Sequence, residues 1–311
     1  MIDAGRKRDW VDRKLRHLRQ LVDCEIGLPD CGSLTDEAAF AGLVGARGAP
    51  RLFLGTYSVP EVEAALERFG ILPALRARGL SPTQIGLDTS DAERHTFSIT
   101  CPIDGQQRLI AETALRVGCF DIDAPFAPLL RGQRFRMIFI LWLLMQHPGA
   151  SFSAARPALP GQVFPGLGIG RQVEQVYLAM ARRLGCDGLV NSPEFAHTAV
   201  LYSRYYRFVD PEVEGRLLSL RRSLSGLGLA EGAWALHTGC VRLTDAGGQP
   251  YYWVPEDQVL PLSPALQAHF RSPAYVRAVK RSLETHRFVL DRERLAALAP
   301  LLPDGSPRPA V

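Results

Sequence analysis

The chain has 311 residues, of which 47% are hydrophobic and 22% are charged, and its 36 Lys and Arg against 32 Asp and Glu give a formal net charge of +4. This balance is typical of a globular protein with a full core, and it excludes a mostly disordered chain. The charge is far below a nucleic-acid-binding profile. Because one domain usually has ~100–200 residues, the length predicts two packed units or one enlarged domain.

Apolar runs and cysteines give further exclusions. The longest apolar run, Met137–Met145, has nine residues, whereas a membrane-spanning helix needs ~18 or more. No apolar segment follows the basic N-terminus, so we expect no secretory signal. The six cysteines are scattered without a C-x-x-C pair. They predict neither a zinc site nor a disulfide framework, and they indicate a cytoplasmic protein that needs no metal.

The first 50 residues predict a helical extension and a linker. Residues 6–26 place apolar side chains on one helical face and seven Lys or Arg on the rest. This basic helix leaves a nucleic-acid partner open as an alternative to a solvated helix face. Gly, Pro and small residues at 27–50 indicate a linker.

Residues 51–146 predict short helices and longer strands. Ser58-x-x-Glu61 is a capping box that starts a helix. Asp104-Gly105 lies between two alternating segments and predicts a tight hairpin turn. The predicted order is a strand at 51–57, helices at 58–69 and 72–78, a strand or extended lead-in at 84–89, a hairpin over 95–117 and a long strand at 135–146.

The second half of the chain begins with an irregular segment rich in Pro, Ala and Ser at 149–165. Helical spacing of apolar residues then dominates. The predicted order is a helix from the glycines at 166–170 to about 184, a strand at 187–190, helices at 193–206 and from Asp210, strands at 234–243 and 251–254, helices from Pro264 and Pro273, and a loose tail at 300–311.

The stretch Pro165–Arg171 carries the strongest functional signal. Its three alternate glycines directly precede a long amphipathic helix. Glycine lets the backbone approach a bulky ligand, and the first N–H groups and the dipole of the helix favour a phosphate or pyrophosphate. The G-x-G-x-G spacing after a proline-rich loop argues against a Rossmann fingerprint, and Arg171-Gln172 argues against a P-loop. A turn that only packs the helix tightly is the alternative.

Over residues 51–208, this series of elements resembles the acyl-CoA-binding half of the GNAT superfamily of N-acetyltransferases. In that family an R/Q-x-x-G-x-G/A turn opens a helix that receives the CoA pyrophosphate. A later helix carries an A-x-x-L-Y-like segment, here Ala199–Tyr202, with Phe208 beyond it. This sequence departs from the family at Pro165, where Arg or Gln is usual, and in the long join at 147–165.

The resemblance implies an α/β fold with a GNAT-like mixed central sheet flanked by helices. The core would span 51–209, with an N-terminal helical extension before it and a C-terminal α/β extension at 210–299 after it. Acetyl-CoA or another acyl-CoA would be the co-substrate, its pyrophosphate bound by Gly166, Leu167, Gly168, Ile169, Gly170 and Arg171. Backbone N–H groups around Leu144, Met145 and Gln146 would hold the pantetheine and polarise the thioester carbonyl.

Catalytic assignments combine the resemblance with side-chain chemistry. Tyr202 occupies the position of the family's tyrosine that protonates the departing thiolate, the alternative being a core tyrosine. The candidate bases, in order, are Glu194, His197 and Glu112. Glu194 and His197 lie one helical turn apart, a spacing that a capping Glu and a surface His also explain. Glu112 stands in mid-strand, and His147 at a strand end is a further candidate.

We therefore predict an N-acyltransferase that moves an acetyl or longer acyl group from CoA to a small-molecule or protein amine by direct attack on the thioester. Two alternatives stay open. One is a GNAT-derived module that binds acyl-CoA or partners without turnover, which Pro165 and the long join favour. The other is an N-acyl amino acid synthase of related fold that takes its acyl group from an acyl carrier protein. A wide apolar acyl tunnel would favour the synthase.

Overall fold

The computed structural model describes residues 52–122, 125–244 and 247–298. Three predictions lie outside the described residues: the helix at 6–26, the linker at 27–50 and the tail at 300–311. Within the described ranges, no helix combines the length and the apolar composition needed to cross a membrane.

Helices and strands alternate along the described chain. In order they are α1 (Val59–Arg68), α2 (Ile71–Arg76), β1 (Gln84–Asp91), β2 (Arg94–Ile103), β3 (Gln106–Asp121), β4 (Arg134–Met145), α3 (Gly170–Arg183), β5 (Gly188–Asn191), α4 (Ala196–Tyr202), β6 (Arg207–Phe208), α5 (Pro211–Ser223), α6 (Leu229–His237), β7 (Val241–Leu243), β8 (Gln249–Pro250), β9 (Gln258–Pro261), α7 (Pro264–Phe270), α8 (Pro273–Thr285), β10 (Phe288–Leu290) and α9 (Arg292–Leu298).

The first two helices agree with the sequence prediction, but the strand before them does not. The carboxylate of Glu61 accepts hydrogen bonds from the backbone N–H and the hydroxyl of Ser58, both at 2.8 Å, at the start of α1. The predicted strand at 51–57 is wrong, because Phe53 and Tyr57 form only a single bridge around a turn. Leu54 (φ 52°) and Gly55 (φ 69°) make that turn, since a positive φ is incompatible with extended backbone.

Four antiparallel strands, β1 to β4, form one half of the main sheet. The predicted hairpin is confirmed as β2 and β3, with Asp104 (φ 51°) and Gly105 (φ 72°) in its turn. Two consecutive positive φ angles are the geometry that favours Asp-Gly in two-residue hairpin loops. The predicted lead-in at 84–89 is strand β1, and the predicted long strand is β4.

The other half of the main sheet comes from later parts of the chain. Strand β5 runs parallel to β4, and β9 pairs antiparallel with both β5 and β6. The seven strands lie in the order β1-β2-β3-β4-β5-β9-β6. The result is an α/β protein with a mixed, mostly antiparallel sheet, which confirms the general class that the sequence predicts.

The C-terminal third departs most from the prediction. The predicted strand at 234–243 begins inside helix α6, and only its end forms β7. The run at 229–237 is rich in Ala and Leu, which favour helices, and Gly239 (φ 71°) turns the chain after it. The predicted strand at 251–254 is irregular, whereas β9 was missed. Strand β9 belongs to the main sheet although it lies in the segment 210–299 that the prediction treats as an extension.

Alternate residues of the central strands build a core on each face of the sheet. Ile138 and Ile140 of β4 and Leu189 of β5 pack under α1, α2 and α3. Phe139 of β4 and Val190 of β5 pack with α7 and α8 on the opposite face. We call the first of these the α3 face of the sheet.

Candidate functional site

The parallel strands β4 and β5 separate at one edge of the main sheet. They pair from Met137 with Gly188 to Ile140 with Asn191, where β5 ends. Strand β4 continues to Met145 and carries a β-bulge at Leu141, the extra residue between Ile140 and Trp142 opposite β3. In the described part of the chain, β4 beyond Ile140 therefore pairs on its β3 side only. We call the resulting gap between the two strand ends the wedge.

The backbone N–H groups of β4 point alternately to the two edges of the strand. The N–H of Gln146 donates to the carbonyl of Ile110 in β3 at 2.9 Å, so it is not available to a ligand. Because successive N–H groups of a strand point to opposite edges, the N–H of Leu144 also points to β3, and that of Met145 points into the wedge. Of the three predicted pantetheine-binding amides, Met145 is thus the one whose direction fits the role.

The glycine turn at 166–170 lies against the end of β4. The N–H of His147 donates to the carbonyl of Pro165 at 2.8 Å, and a Cβ atom added to Gly166 would lie 3.8 Å from the carbonyl oxygen of Met145. Leu167 and Ile169 are buried, whereas the glycines at 168 and 170 are exposed. The turn therefore anchors itself by its apolar side chains and presents bare backbone to the outside.

Two kinds of glycine make up this turn. Gly168 has a φ of +66°, which L side chains rarely adopt. Gly170 has no atom within 4 Å of the place where its Cβ would lie. Packing within the described chain does not require glycine at position 170, so the open space there remains for a ligand.

Helix α3 begins at Gly170 with no side-chain hydrogen bond at its N-cap residue, Ile169. The N–H groups of an uncapped first turn point outward and carry the positive end of the helix dipole. Three exposed arginines add positive charge. Arg171 follows the turn, Arg156 donates to the carbonyl of Gly166, and a guanidinium nitrogen of Arg78 lies 3.7 Å from a Cβ added to Gly168. The surface favours an anion.

A narrow apolar slot starts beside this turn and runs along the α3 face of the sheet. Its volume is about 40 Å³, more than the ~10–15 Å³ that one water molecule needs. Met145, Ile169 and Val173 line it near the glycine turn, and Leu66 and Ile71 line it under α1 and α2. All of its lining residues are apolar except Glu112, Thr113 and Tyr177. Such a lining suits an alkyl group rather than a polar one.

A buried polar cluster lies between α3 and the end of α4. The hydroxyl of Tyr206 donates to Glu174 Oε1 at 2.9 Å, and the ring of Tyr202 is 5.5 Å from that of Tyr206. Nearby on α3, the Tyr177 hydroxyl lies 2.7 Å from Thr113 Oγ1 of β3. The hydrogen bonds leave Glu174 Oε2 without a partner among the described residues.

Burial changes the acidity of this cluster. It raises the pKa of Glu174 to about 7, and the hydrogen bond from Tyr206 offsets part of that rise. Burial and the nearby Glu174 carboxylate also hold the pKa of Tyr202 above its ordinary value of 10. A carboxyl with a pKa near neutrality can accept and release a proton under physiological conditions. Tyr202 stays protonated and can donate one.

The sequence prediction missed Glu174, although a signal for it exists. Position 174 shares a helical face with Tyr177, Leu178 and Ala181, all of them buried. A carboxylate on an otherwise apolar helix face is uncommon without a partner or a function. The arginines Arg78 and Arg156, by contrast, have no such signal, because only the fold brings them to the glycine turn.

Asn191, the last residue of β5, is a second residue that the sequence does not single out. Its side chain is 4% exposed, and neither its Oδ1 nor its Nδ2 has a hydrogen-bond partner in the described part of the chain. Strand alternation places it on the α3 face with Leu189. Buried amides are nearly always hydrogen-bonded, so a bare amide at the corner of the wedge indicates a ligand-facing position.

The structure separates the predicted bases from Tyr202. Glu112 of β3 borders the slot through its place in the strand between Ala111 and Thr113, but strand alternation directs its carboxylate to the face opposite α3. The helix predicted at 193–206 spans only Ala196–Tyr202, so Glu194 precedes α4 and does not share a helical face with His197; both residues line a different cavity. His147 lies in the loop after β4, where its Nε2 is 3.3 Å from the carbonyl oxygen of Arg78. Glu174 is the carboxylate that accompanies Tyr202.

Among the described residues, no group of three or more His, Cys, Asp or Glu side chains is arranged to hold a metal ion. Comparison of the chain with protein-family models, with curated proteins and with solved structures finds no match in any of the three.

Proposed function

We propose that this protein is a GNAT-like N-acyltransferase that moves an acyl group from a thioester to an amine. The observation that carries the proposal is the wedge between β4 and β5, where the glycine turn, the Met145 N–H and the mouth of the apolar slot meet. The strand order β1-β2-β3-β4-β5-β9-β6, with α3 joining the two parallel strands, supports the resemblance that the sequence indicates.

The reaction follows from this arrangement. The thioester carbonyl accepts a hydrogen bond from the Met145 N–H, which stabilises the oxyanion that forms as the amine attacks. The new C–N bond forms, the C–S bond breaks, and the departing thiolate takes a proton from Tyr202. Glu174 receives one proton from the ammonium, which frees the amine for attack. The nitrogen loses a second proton as the amide forms, and this proton restores the Tyr202 phenol. The products are an amide and a free thiol.

The apolar slot supports a donor with a medium or long acyl chain over acetyl-CoA. An acetyl group extends only one methyl group beyond the carbonyl and leaves most of the slot unused. Each further methylene buried in the slot contributes about 0.8 kcal/mol, or about fourfold in affinity. Met145 and Met180 line the slot, and their flexible side chains adapt to a chain that is wider than the empty space.

The basic rim of the slot favours a second candidate, the N-acyl amino acid synthase that takes its acyl group from an acyl carrier protein, whereas the narrow slot is not the wide acyl tunnel that such a synthase would need. Both donors present a phosphopantetheine arm. The exposed Arg78, Arg156 and Arg171 around the mouth suit either the CoA phosphates or an acidic carrier protein.

A thiol-release assay tests the proposal. Acyl-CoA donors from two to twelve carbons are compared with the same acyl groups on a carrier protein, against a panel of primary amines. We expect kcat/KM to rise with chain length and then level off. Tyr202→Phe should slow the reaction about a hundredfold, whereas Tyr205→Phe, a half-buried neighbour, should not. Absence of thiol release with every donor, or a Tyr202→Phe variant as fast as the wild type, would overturn the proposal.

A further inference from the structure

A second cavity lies beside α4, outside the donor site. Its volume is about 270 Å³, and four separate parts of the chain form its walls. Pro160 comes from the irregular segment at 147–165, Glu194 and His197 come from the chain before α4 and its first turn, and the other walls are α6 and Trp253. The segments that go beyond the resemblance, the long join and the C-terminal part, thus meet here.

Hydrogen bonds and close packing hold these walls in place. Trp234 Nε1 of α6 donates to the carbonyl of Ala158 at 2.8 Å, which fixes the long join. Trp253 Nε1 donates to the carbonyl of Pro193 at 3.0 Å, which fixes the chain before α4. A Cβ atom on Gly161 would lie 2.5 Å from the ring of Phe195, so that backbone and ring touch. The cavity is preformed.

The lining combines aromatic rings with one carboxylate. Phe195, Trp253 and His197 present ring faces or edges, and His197 stacks on Phe195 with centroids 5.3 Å apart. Glu194 supplies a negative charge at the exposed rim. Aromatic faces and a carboxylate together favour an organic ammonium group.

His197 does not oppose such a cation. Its side chain is 7% exposed, and burial together with the nearby His237 lowers its pKa to about 4. It is therefore neutral at physiological pH, and its ring nitrogens make no hydrogen bond to another residue that the structure describes. A neutral imidazole can accept a hydrogen bond from an amine.

The cavity lies at the same edge of the sheet as the wedge. Strand β5 ends at Asn191, and Glu194 follows three residues later. Three residues span at most about 11 Å. The bare amide of Asn191 stands between the two places, at the corner of the wedge. An adjoining cavity of about 260 Å³ shares Ala196 and His197 and is lined mainly by aliphatic side chains, which gives room for an apolar body.

We propose that this cavity is the acceptor site, and that it binds a primary amine as an ammonium carried on an aromatic or branched apolar body. The inference rests on the proposed function for its role in transfer, but binding of the amine alone tests it separately. Glu194 pairs with the ammonium charge, and Phe195 and Trp253 pack on the apolar body.

Binding is measured by calorimetry on the full chain without any acyl donor. The probe is 2-phenylethylamine, and 2-phenylethanol is the uncharged compound of the same shape. We expect the amine to bind at least tenfold more tightly than the alcohol. Glu194→Gln, at an exposed position, should weaken amine binding about fivefold or more. Glu231→Gln on α6, which does not line the cavity, should leave it unchanged.

Three results would overturn the inference: no binding of the amine, equal binding of amine and alcohol, or a Glu194→Gln variant that binds as the wild type does. In the transfer assay, Glu194→Gln should raise the KM for the amine and leave the KM for the acyl donor unchanged. Amine binding that depends on Glu194, with no thiol release from any donor, would uphold the cavity and reject the transferase. If transfer takes place and Glu194→Gln leaves the KM for the amine unchanged, the transferase is upheld and the cavity is rejected as its acceptor site.

Discussion

Two cavities open at one edge of the main sheet, and they differ in size and chemistry. The slot on the α3 face has about 40 Å³ and an almost entirely apolar lining, whereas the cavity beside α4 has about 270 Å³ and contains a carboxylate, imidazoles and aromatic rings. An apolar slot selects a hydrocarbon, and a mixed cavity selects a charged group on an apolar body. In the proposed reaction, the two cavities would bind substrates of opposite polarity, an apolar acyl chain and a charged amine.

The largest effect should come from Glu174→Gln, which removes the proposed proton acceptor beside Tyr206. We expect kcat to fall about a hundredfold to a thousandfold, within the range for general bases, with little change in either KM. In the wild type, kcat should rise with pH through about 7, because the carboxyl must lose its proton to act and its pKa lies there. A pH profile of kcat measures both. Glu63→Gln, on the exposed side of α1, is the control, and a Glu174→Gln variant that keeps the full rate would remove Glu174 from the mechanism.

The same substitution should stabilise the protein at alkaline pH. The pKa of Glu174 is raised from 4.5 to about 7 in the folded state, so between these values the unfolded chain is ionised while the folded chain keeps its proton. Stability therefore falls as the pH rises through this window, by about 3 kcal/mol in total. Because glutamine does not ionise, the Glu174→Gln variant should not lose stability over this pH range. Urea unfolding of both proteins at pH 5 and pH 8 measures the difference. Equal pH dependence in both proteins would contradict the burial argument.

The second effect concerns the anion-binding surface beside the slot. Gly170→Glu places a carboxylate where the donor phosphates should lie, and acyl-CoA affinity should fall about tenfold or more by loss of the helix-terminus interaction and charge repulsion. The open space around Gly170 means that the fold tolerates the side chain. Gly170→Ala is the matched control and should bind as the wild type does. Calorimetry with an acyl-CoA distinguishes them, and unchanged affinity in Gly170→Glu would exclude the glycine turn as the phosphate site.

A third, smaller effect tests the slot itself. Val173→Phe adds a ring near the mouth of the slot, and the ratio of kcat/KM for long against short acyl donors should fall about tenfold, as if roughly two methylenes lost their burial. Val163→Phe adds the same ring at an exposed position and should leave the ratio unchanged. If both variants keep the wild-type ratio, the acyl chain lies elsewhere.

The smallest effect should come from Asn191→Leu. Replacing a buried amide that lacks hydrogen bonds by an apolar side chain should keep or raise the free energy of unfolding, by about 1 kcal/mol, and should slow transfer several-fold. Leu189→Asn, on the same face of β5, is the opposite change and should destabilise strongly. Urea unfolding compares the two, and a large loss of stability in Asn191→Leu would show that the amide is structural.

The elements from α1 to β4 could be predicted because local signals in the sequence determine them. The capping box at Ser58 and the Asp104-Gly105 turn act within a few residues, and the alternation of β2 to β4 follows from one buried face per strand. Prediction failed where distant contacts decide. Strand β9 is four residues long, too short for a periodicity, and its place in the sheet depends on β5 and β6.

The candidate site likewise combines residues that the sequence reveals with residues that only the fold brings together. The glycine turn and Tyr202 could be found because they lie next to a helix with clear apolar spacing. Arg78 and Arg156 reach the turn only through the fold. Asn191 is notable for its missing partners, which no sequence pattern expresses. Glu194 and His197 stand out by their spacing, but the cavity that gives them a role needs Trp253, more than fifty residues later.

The insertion of β9 between β5 and β6 has a consequence for the order in which the molecule assembles. During synthesis, β5 leaves the ribosome some seventy residues before its neighbour β9, and its outer edge stays unpaired for that interval. Long-range strand pairing of this kind folds slowly and exposes a template for aggregation. A chain cut after residue 209 would keep the glycine turn and Tyr202 but would leave that edge bare permanently.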